Sequence, residues 1–248
     1  MNLDLTLLAR IEKAVVSGWP AAEVESIDGW LARATSGGSL RANTAAALDY
    51  CGQDLDRSID GVIAFYRARG AAPRFIISPV SQPAGLDAKL AQRGFVRSSD
   101  CITMAKAVGT VPRTAVVVQR HDEPDEGWFA VYLQGLSDNR RAVAPSLVAR
   151  VPRPRAFFSA VRDGGVIASG LSVLSEDLAS VQCMASRASA RRSGAATAVL
   201  AAIEAHAAAQ GARWLYLQTE PGNVAAVALY QKYGFHVAGP YHTRDLAP

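Results

Sequence analysis

The middle of the C-terminal half alternates between apolar and polar residues in short runs that turn residues separate. This alternation has the two-residue period of half-buried strands. It predicts strands over Arg155–Arg162, Val166–Leu174 and Leu178–Ser186, joined by turns at Asp163-Gly164-Gly165 and Ser175-Glu176-Asp177. The sequence therefore predicts an antiparallel meander here.

Helical patterns flank the meander on both sides. Upstream, a predicted strand over Thr114–Arg120 precedes two predicted helices, Glu126–Gly135 and Asn139–Val151. Downstream come an alanine-rich helix, a strand over Trp214–Gln218 and a second helix that ends on Tyr233. The element order β-α-α-β-β-β-α-β-α-β predicts an α/β fold with a mixed sheet.

A basic segment joins the strand Leu178–Ser186 to the alanine-rich helix. It reads Arg191-Arg192-Ser193-Gly194-Ala195-Ala196. Glycine lets the backbone approach a ligand, and the free amides of the first helical turn attract anions. Arginine side chains add positive charge there. The segment predicts a phosphate site, although a solvated helix start could have the same composition.

A second motif follows at fixed spacing. It consists of Asn223, Ala226, Leu229, Tyr230, Gly234 and Phe235. Together with the basic loop and the element order, it resembles the GNAT acetyltransferase superfamily. The resemblance implies the acyl-CoA N-acyltransferase fold, acetyl coenzyme A as cofactor, and a primary amine of a small molecule or protein as acceptor.

The resemblance also implies where the cofactor lies. Its pantetheine arm would pair with backbone between the strands Leu178–Ser186 and Trp214–Gln218. The implied arm-binding residues are Met184, Ala185 and Ser186. The implied pyrophosphate-binding residues are Arg191, Arg192, Ser193, Gly194, Ala195, Ala196 and Thr197. Asn223, Ala226 and Tyr230 would complete the cofactor site, and Asn223 could equally cap the helix that follows it.

Tyr230 matches the position of the acid that protonates the leaving thiolate in the family. The alternative is a structural aromatic, a role that the nearby Tyr233 could also have. The strand before the loop has no carboxylate, so the general base cannot be transferred from the family. Glu220, just past the next strand, is the first choice through a water chain. The histidines lack metal-ligand spacing, so no metal is predicted.

The N-terminal half repeats part of this pattern. A helix ending at Gly70, a strand Arg74–Ser78 and a helix Leu86–Arg93 that closes on Gly94-Phe95 follow in the same order. Leu90 stands where Tyr230 would be, and no glycine-rich anion loop is present. The half resembles the degenerate lobe of tandem GNAT proteins. The predicted domains are residues 1–108 and 114–248, with short strands at Trp30–Arg33 and Ser39–Asn43.

Composition narrows the remaining possibilities. The 248 residues are 50% hydrophobic and carry a net charge of +4, with basic residues scattered along the chain. We therefore expect a globular protein that binds no nucleic acid. The sequence shows neither an apolar run of about 18 residues nor a signal-like N-terminus, so we expect a cytoplasmic protein that binds no membrane, either monomer or homodimer. Cys51, Cys101 and Cys183 are expected to be buried thiols, and Trp128 and Tyr132 to be core residues. A non-catalytic acyl-CoA sensor or scaffold is the alternative function.

Overall fold

The computed structural model describes residues 4–247. Helices and strands occur in the following order: α1 (Leu5–Gly18), β1 (Glu23–Ile27), β2 (Trp30–Ala34), β3 (Ala45–Ala46), α2 (Leu55–Arg67), β4 (Arg74–Ile77), α3 (Leu86–Gln92), β5 (Val96–Ala107), β6 (Val117–His121), α4 (Glu126–Tyr132), α5 (Asp138–Arg141), α6 (Ala144–Arg150), β7 (Arg155–Arg162), β8 (Gly165–Ser175), β9 (Leu178–Ser180), β10 (Gln182–Ser186), α7 (Ala195–Ala209), β11 (Trp214–Thr219), α8 (Val224–Tyr233) and β12 (His236–Asp245).

These elements form two compact units. The first comprises residues 4–103, 218–223 and 237–247, and the second comprises residues 104–217 and 224–236. Each unit is therefore discontinuous, with three stretches of the chain in the first and two in the second. The division into lobes 1–108 and 114–248 stays a prediction.

The first unit contains a sheet in the order β1-β2-β3-β4-β12, with a parallel pair at β3 and β4 and antiparallel pairs elsewhere. One face of β2 presents Trp30 and Ala32 to a core that includes Ile59 and Val62 of α2. Because side chains alternate along a strand, Leu31 and Arg33 point to the opposite face.

The second unit contains strands in the order β11-β9-β8-β7-β6. β6, β7, β8 and β9 pair antiparallel, as the meander predicted. Helix α7 packs closely on β8 because Gly170 has no side chain: a Cβ there would lie 2.5 Å from Cγ1 of Val199. Trp128 is fully buried and donates from Nε1 to the Gly170 carbonyl (3.0 Å), and Tyr132 is buried beside it. The expectation that both are core residues is confirmed.

Three local predictions were wrong in part. The helix predicted at Glu126–Gly135 is α4 followed by a 3-10 turn, and the helix predicted at Asn139–Val151 is divided into α5 and α6. Pro145 lies in the first turn of α6, where it favours a new helix start over the continuation of an earlier one. The segment Ser39–Asn43 holds a 3-10 helix instead of a strand: the Asn43 amide donates to the Leu40 carbonyl within the segment (3.0 Å), and Oδ1 of Asn43 accepts from the Thr35 amide (2.8 Å).

The cysteines differ in exposure. Cys101 is buried as expected, and Cys183 is half-buried in β10. Cys51 is exposed, so the expectation of a buried thiol was wrong there. It follows β3 in a connecting segment, and connecting segments lie on the surface.

Glu204 is a fully buried carboxylate that joins three segments of the second unit. It belongs to α7 and forms an ion pair with Lys106 near the end of β5. Its Oε1 also accepts from the Gly109 amide (2.9 Å), and its Oε2 accepts from the Tyr233 hydroxyl of α8 (2.8 Å). A carboxylate removed from water needs this many donors to be tolerated.

We expect Glu204→Gln to destabilise the protein by about 3 kcal/mol, because the neutral amide leaves the Lys106 ammonium uncompensated in a largely buried setting. Asp122→Asn is the control, since Asp122 pairs with Arg120 on the surface (2.7 Å). That change should cost at most about 1 kcal/mol. Urea denaturation measures both, and equal effects of the two variants would contradict the structural role of Glu204.

Candidate functional site

The strand predicted over Leu178–Ser186 is broken at Val181. Its first part, β9, pairs parallel with β11, where Ser180 lies opposite Tyr216. The last bond of this pairing runs from the Val181 amide to the Tyr216 carbonyl (2.8 Å). Its second part, β10, pairs with β8 and with no other strand in the described part of the chain. The edge of β10 that faces away from β8 is therefore left without a strand partner.

A β-bulge accompanies this break. Gln182 lies opposite Leu171 and Ala185 lies opposite Ser169, so three steps along β10 match two steps along β8. Cys183 has a φ of 52°, in the left-handed region that non-glycine residues rarely adopt. Ser169 Oγ donates to the Cys183 carbonyl (3.3 Å). Such a bulge bends its strand and increases the local twist, which accounts for the departure of β10.

The end of β10 directs backbone donors to the unpaired edge. The Arg187 amide donates to the Ile167 carbonyl of β8 (2.9 Å). Because successive amides of a strand point to opposite edges, the Ser186 amide faces away from β8. Met184, Ala185 and Ser186 are all half-buried. This edge could accept an extended ligand as an added strand.

The basic loop ends at an uncapped helix N-terminus. Gly194 has a φ of 83° and starts α7 without a side-chain cap. The first bond within the helix runs from the Ala198 amide to the Gly194 carbonyl (2.9 Å). The amides of Ala195, Ala196 and Thr197 consequently have no partner within the helix and point out of its N-terminus. A Cβ on Gly194 would meet nothing within 4 Å, so there is open space at this point.

Two arginines bring positive charge to this helix start. Arg191 and Arg192 are exposed, and neither has a carboxylate within ion-pair distance among residues 4–247. Ser193 is held by a bond from its Oγ to the Ala190 carbonyl (2.7 Å). The Arg187 side chain is fixed by a bond from Nε to the Val166 carbonyl (2.6 Å). Free guanidinium groups next to free amides form a favourable site for phosphate groups.

The two tyrosines of α8 have different environments. The Tyr233 hydroxyl donates to Glu204, so its proton is already used. Tyr230 is buried at 8% exposure, and its ring contacts Phe235 at 5.9 Å between centroids. Burial alone raises the pKa of Tyr230 to about 12. Its phenol therefore stays neutral at ordinary pH and retains a proton that it can donate.

The remaining predicted residues are divided between the units. Glu220 and Asn223 are exposed in the first unit, where the Asn223 amide donates to the Glu220 carbonyl (3.0 Å). Ala226 is half-buried near the start of α8 in the second unit. The roles assigned to Glu220, Asn223 and Ala226 stay predictions.

Neither a metal site nor a membrane-spanning helix is found among the residues that the structure describes. Within residues 4–247, no three His, Cys, Asp or Glu side chains are grouped so that they could hold a metal ion. No helix in that range is both long and apolar enough to cross a membrane.

Sequence reasoning missed two buried carboxylates. Glu204 is the only carboxylate in α7, which is otherwise almost entirely apolar. Its position among apolar residues could have indicated that it is buried. Glu12 of α1, in the first unit, accepts from Thr103 Oγ1 (2.9 Å). Burial raises the pKa of Glu12 to about 7, against the hydrogen bonds from Thr103 and Gln218, which lower it.

Comparison with known proteins agrees with this geometry. The family model described as "Probable histone acetyltransferase Rv0428c C-terminal" matches residues 8–244. The relative described as "Uncharacterized N-acetyltransferase YobR", from Bacillus subtilis (strain 168), is 27% identical over 247 residues, which cover 96% of this chain and 98% of that protein.

Solved structures show the same fold. The GCN5-related N-acetyltransferase from Kribbella flavida superimposes with a TM-score of 0.70 at 18% identity, covering 97% of this chain and 96% of that one. A tandem GNAT protein from the clavulanic acid biosynthesis pathway gives a TM-score of 0.54 at 17% identity, over 77% and 68% of the two chains. This chain has the GNAT fold, and it belongs to the Rv0428c C-terminal family of GNAT-type acetyltransferase enzymes.

Proposed function

We propose that the chain transfers an acetyl group from acetyl coenzyme A to a primary amine of a small molecule or of a protein. One observation carries the proposal: β10, whose outer edge has no strand partner, is followed after residues 187–193 by the uncapped N-terminus of α7. An extended arm that ends in phosphate groups fits that sequence of sites. The matching family model is described as a probable histone acetyltransferase, and a protein amine is therefore one of the two acceptor classes.

In this proposal the cofactor lies along β10 and α7. The pantetheine arm bonds to backbone of Met184, Ala185 and Ser186 at the unpaired edge. The pyrophosphate binds the loop and first helical turn, which comprise Arg191, Arg192, Ser193, Gly194, Ala195, Ala196 and Thr197. Asn223 and Ala226 complete the cofactor site. The support is the free amides and the unpaired guanidinium groups of the second unit.

The transfer would proceed by direct attack. The neutral amine adds to the thioester carbonyl, and a β10 amide stabilises the oxyanion that forms. As the carbon–sulfur bond breaks, Tyr230 donates its proton to the thiolate. The amine loses one proton through water to Glu220, which we propose as the base, and the phenol regains a proton from solvent. The cytoplasmic location and the choice between monomer and homodimer stay predictions.

The anion site is tested by Gly194→Glu. The new carboxylate would stand at the helix N-terminus where the pyrophosphate binds, and like charges repel there. We expect acetyl coenzyme A to bind wild type with micromolar affinity and the variant at least about 100-fold more weakly, by calorimetric titration.

Gly211→Glu is the matched control for this experiment. Gly211 lies just past the other end of α7, has a φ of 80°, and likewise has open space at its Cβ position. Both variants therefore carry the same charge and similar backbone strain. Loss of binding in both would show that strain is the cause, and full binding by Gly194→Glu would place the pyrophosphate elsewhere.

The acid is tested by Tyr230→Phe. Removing the hydroxyl leaves the thiolate without its donor, so kcat should fall by about 100-fold while the affinity for acetyl coenzyme A changes less than about twofold. Because the pKa of Tyr230 is about 12, wild type should show no loss of rate from phenol ionisation below about pH 10.

Tyr233→Phe is the control for the acid. It removes the bond to Glu204, so stability should fall by about 1 kcal/mol with turnover largely retained. Steady-state kinetics with a colorimetric thiol assay separates the two tyrosines. An unchanged kcat in Tyr230→Phe would remove the proposed role of this residue.

A further inference from the structure

The first unit contains a cavity that the proposed reaction does not use. Its volume is about 470 Å³, and it lies where α1 faces β1, β2 and β3. Its lining is mostly apolar and includes Val16, Pro20, Val24, Leu31 and Leu48. A concave apolar site of this size with few polar groups is typical of small-molecule binding.

Arg33 is the buried charged residue of this cavity. It follows Leu31 on the same face of β2, and only 1% of its surface is exposed. Its Nε donates to the Thr44 carbonyl (3.2 Å) and its Nη2 donates to Thr44 Oγ1 (3.1 Å). Nη1 is buried and has no hydrogen-bond partner among the described residues. A charged donor is seldom buried with part of its capacity unused.

The surroundings of Arg33 leave its charge uncompensated. No carboxylate within residues 4–247 lies within ion-pair distance of it. Glu12 acts on Arg33 only at longer range, and Arg41 adds a second positive charge. Burial lowers the pKa of Arg33 to about 10, so the guanidinium remains charged at neutral pH. An anion delivered by a ligand would satisfy this buried charge.

We propose that this cavity binds a small amphiphilic monocarboxylic acid, with its aliphatic chain on the apolar lining and its carboxylate paired with the Arg33 guanidinium, which shifts toward the cavity so that Nη1 gains a partner. A carboxylate fits better than a phosphate ester. Thr44 already accepts two of the guanidinium hydrogen bonds, and a monoanion matches the single positive charge of Arg33. A carboxylate carries one charge and needs few donors.

The rim of the cavity is open to solvent. Lys13 and Asp49 form an exposed ion pair there (2.7 Å), and Val24 has 54% of its surface exposed. An apolar side chain that is both exposed and part of a cavity lining is suited to contact an entering aliphatic chain. Val24 therefore offers a position where the cavity can be blocked without disturbing the core.

The proposal is tested by calorimetric titration of octanoate into the full chain. We expect one saturable site with Kd on the order of 10–100 µM. Octanol, which has the same chain without the charge, should bind at least about 10-fold more weakly. Octyl phosphate should also bind more weakly than octanoate.

Three variants test whether octanoate binds in this cavity. Arg33→Met and Val24→Asp should each weaken octanoate binding at least about 10-fold, the first by removing the cation and the second by putting an anion in the apolar lining. Val96→Asp is the control, because Val96 is exposed in the same unit outside the cavity lining. It should bind like wild type. Circular dichroism shows whether each variant is folded.

Binding of octanoate must also persist in Gly194→Glu, which separates this cavity from the proposed coenzyme site. No saturable binding by folded wild type would overturn the proposal. Unchanged octanoate binding by Val24→Asp would also overturn it, and this result is informative even if Arg33→Met does not fold. Tighter binding of octyl phosphate than octanoate would reject the carboxylate in favour of a phosphate ester.

Discussion

The loss of strand pairing after Val181 is the constraint on which the site depends. β9 is held against β11, whereas the bulge at Cys183 turns β10 away and leaves its outer edge without a strand. An unpaired edge is normally a liability because it invites aggregation. Here the chain continues through residues 187–193 to an uncapped helix start, so that one short stretch presents amides for an arm and, further on, amides for phosphates.

Glu204 supports this arrangement from within the second unit. It fixes α7, the helix with the anion site, to the end of β5 through Lys106 and to α8 through Tyr233. Tyr230 lies about one turn before Tyr233 on α8. The buried carboxylate thus contributes to the stability of the helix that begins at the anion loop and of the helix that carries the proposed acid. A charged residue in an apolar helix is retained because three donors compensate its burial.

Much of the fold could be predicted because it depends on local patterns. The meander and the helix after Gly194 follow from alternation and from helix-start chemistry. The resemblance implied that the strand Leu178–Ser186 diverges from Trp214–Gln218, but the position of the break at Val181 could not be predicted. An uninterrupted run of strand-forming residues carries no sign of where a partner strand diverges. The burial of Arg33 could not be predicted either. Its sequence context is an ordinary strand, and only the fold shows that it is buried without a carboxylate partner.

Hydrogen–deuterium exchange with and without saturating acetyl coenzyme A tests the central claim most directly, because the claim concerns backbone amides. We expect slower exchange in two segments, the end of β10 from Met184 to Ser186 and the first turn of α7 from Ala195 to Thr197, as the ligand bonds to amides that point away from β8 or out of the helix start. Exchange in β7, whose amides are paired in the sheet, should not change. Tight binding without protection of either segment would contradict the account.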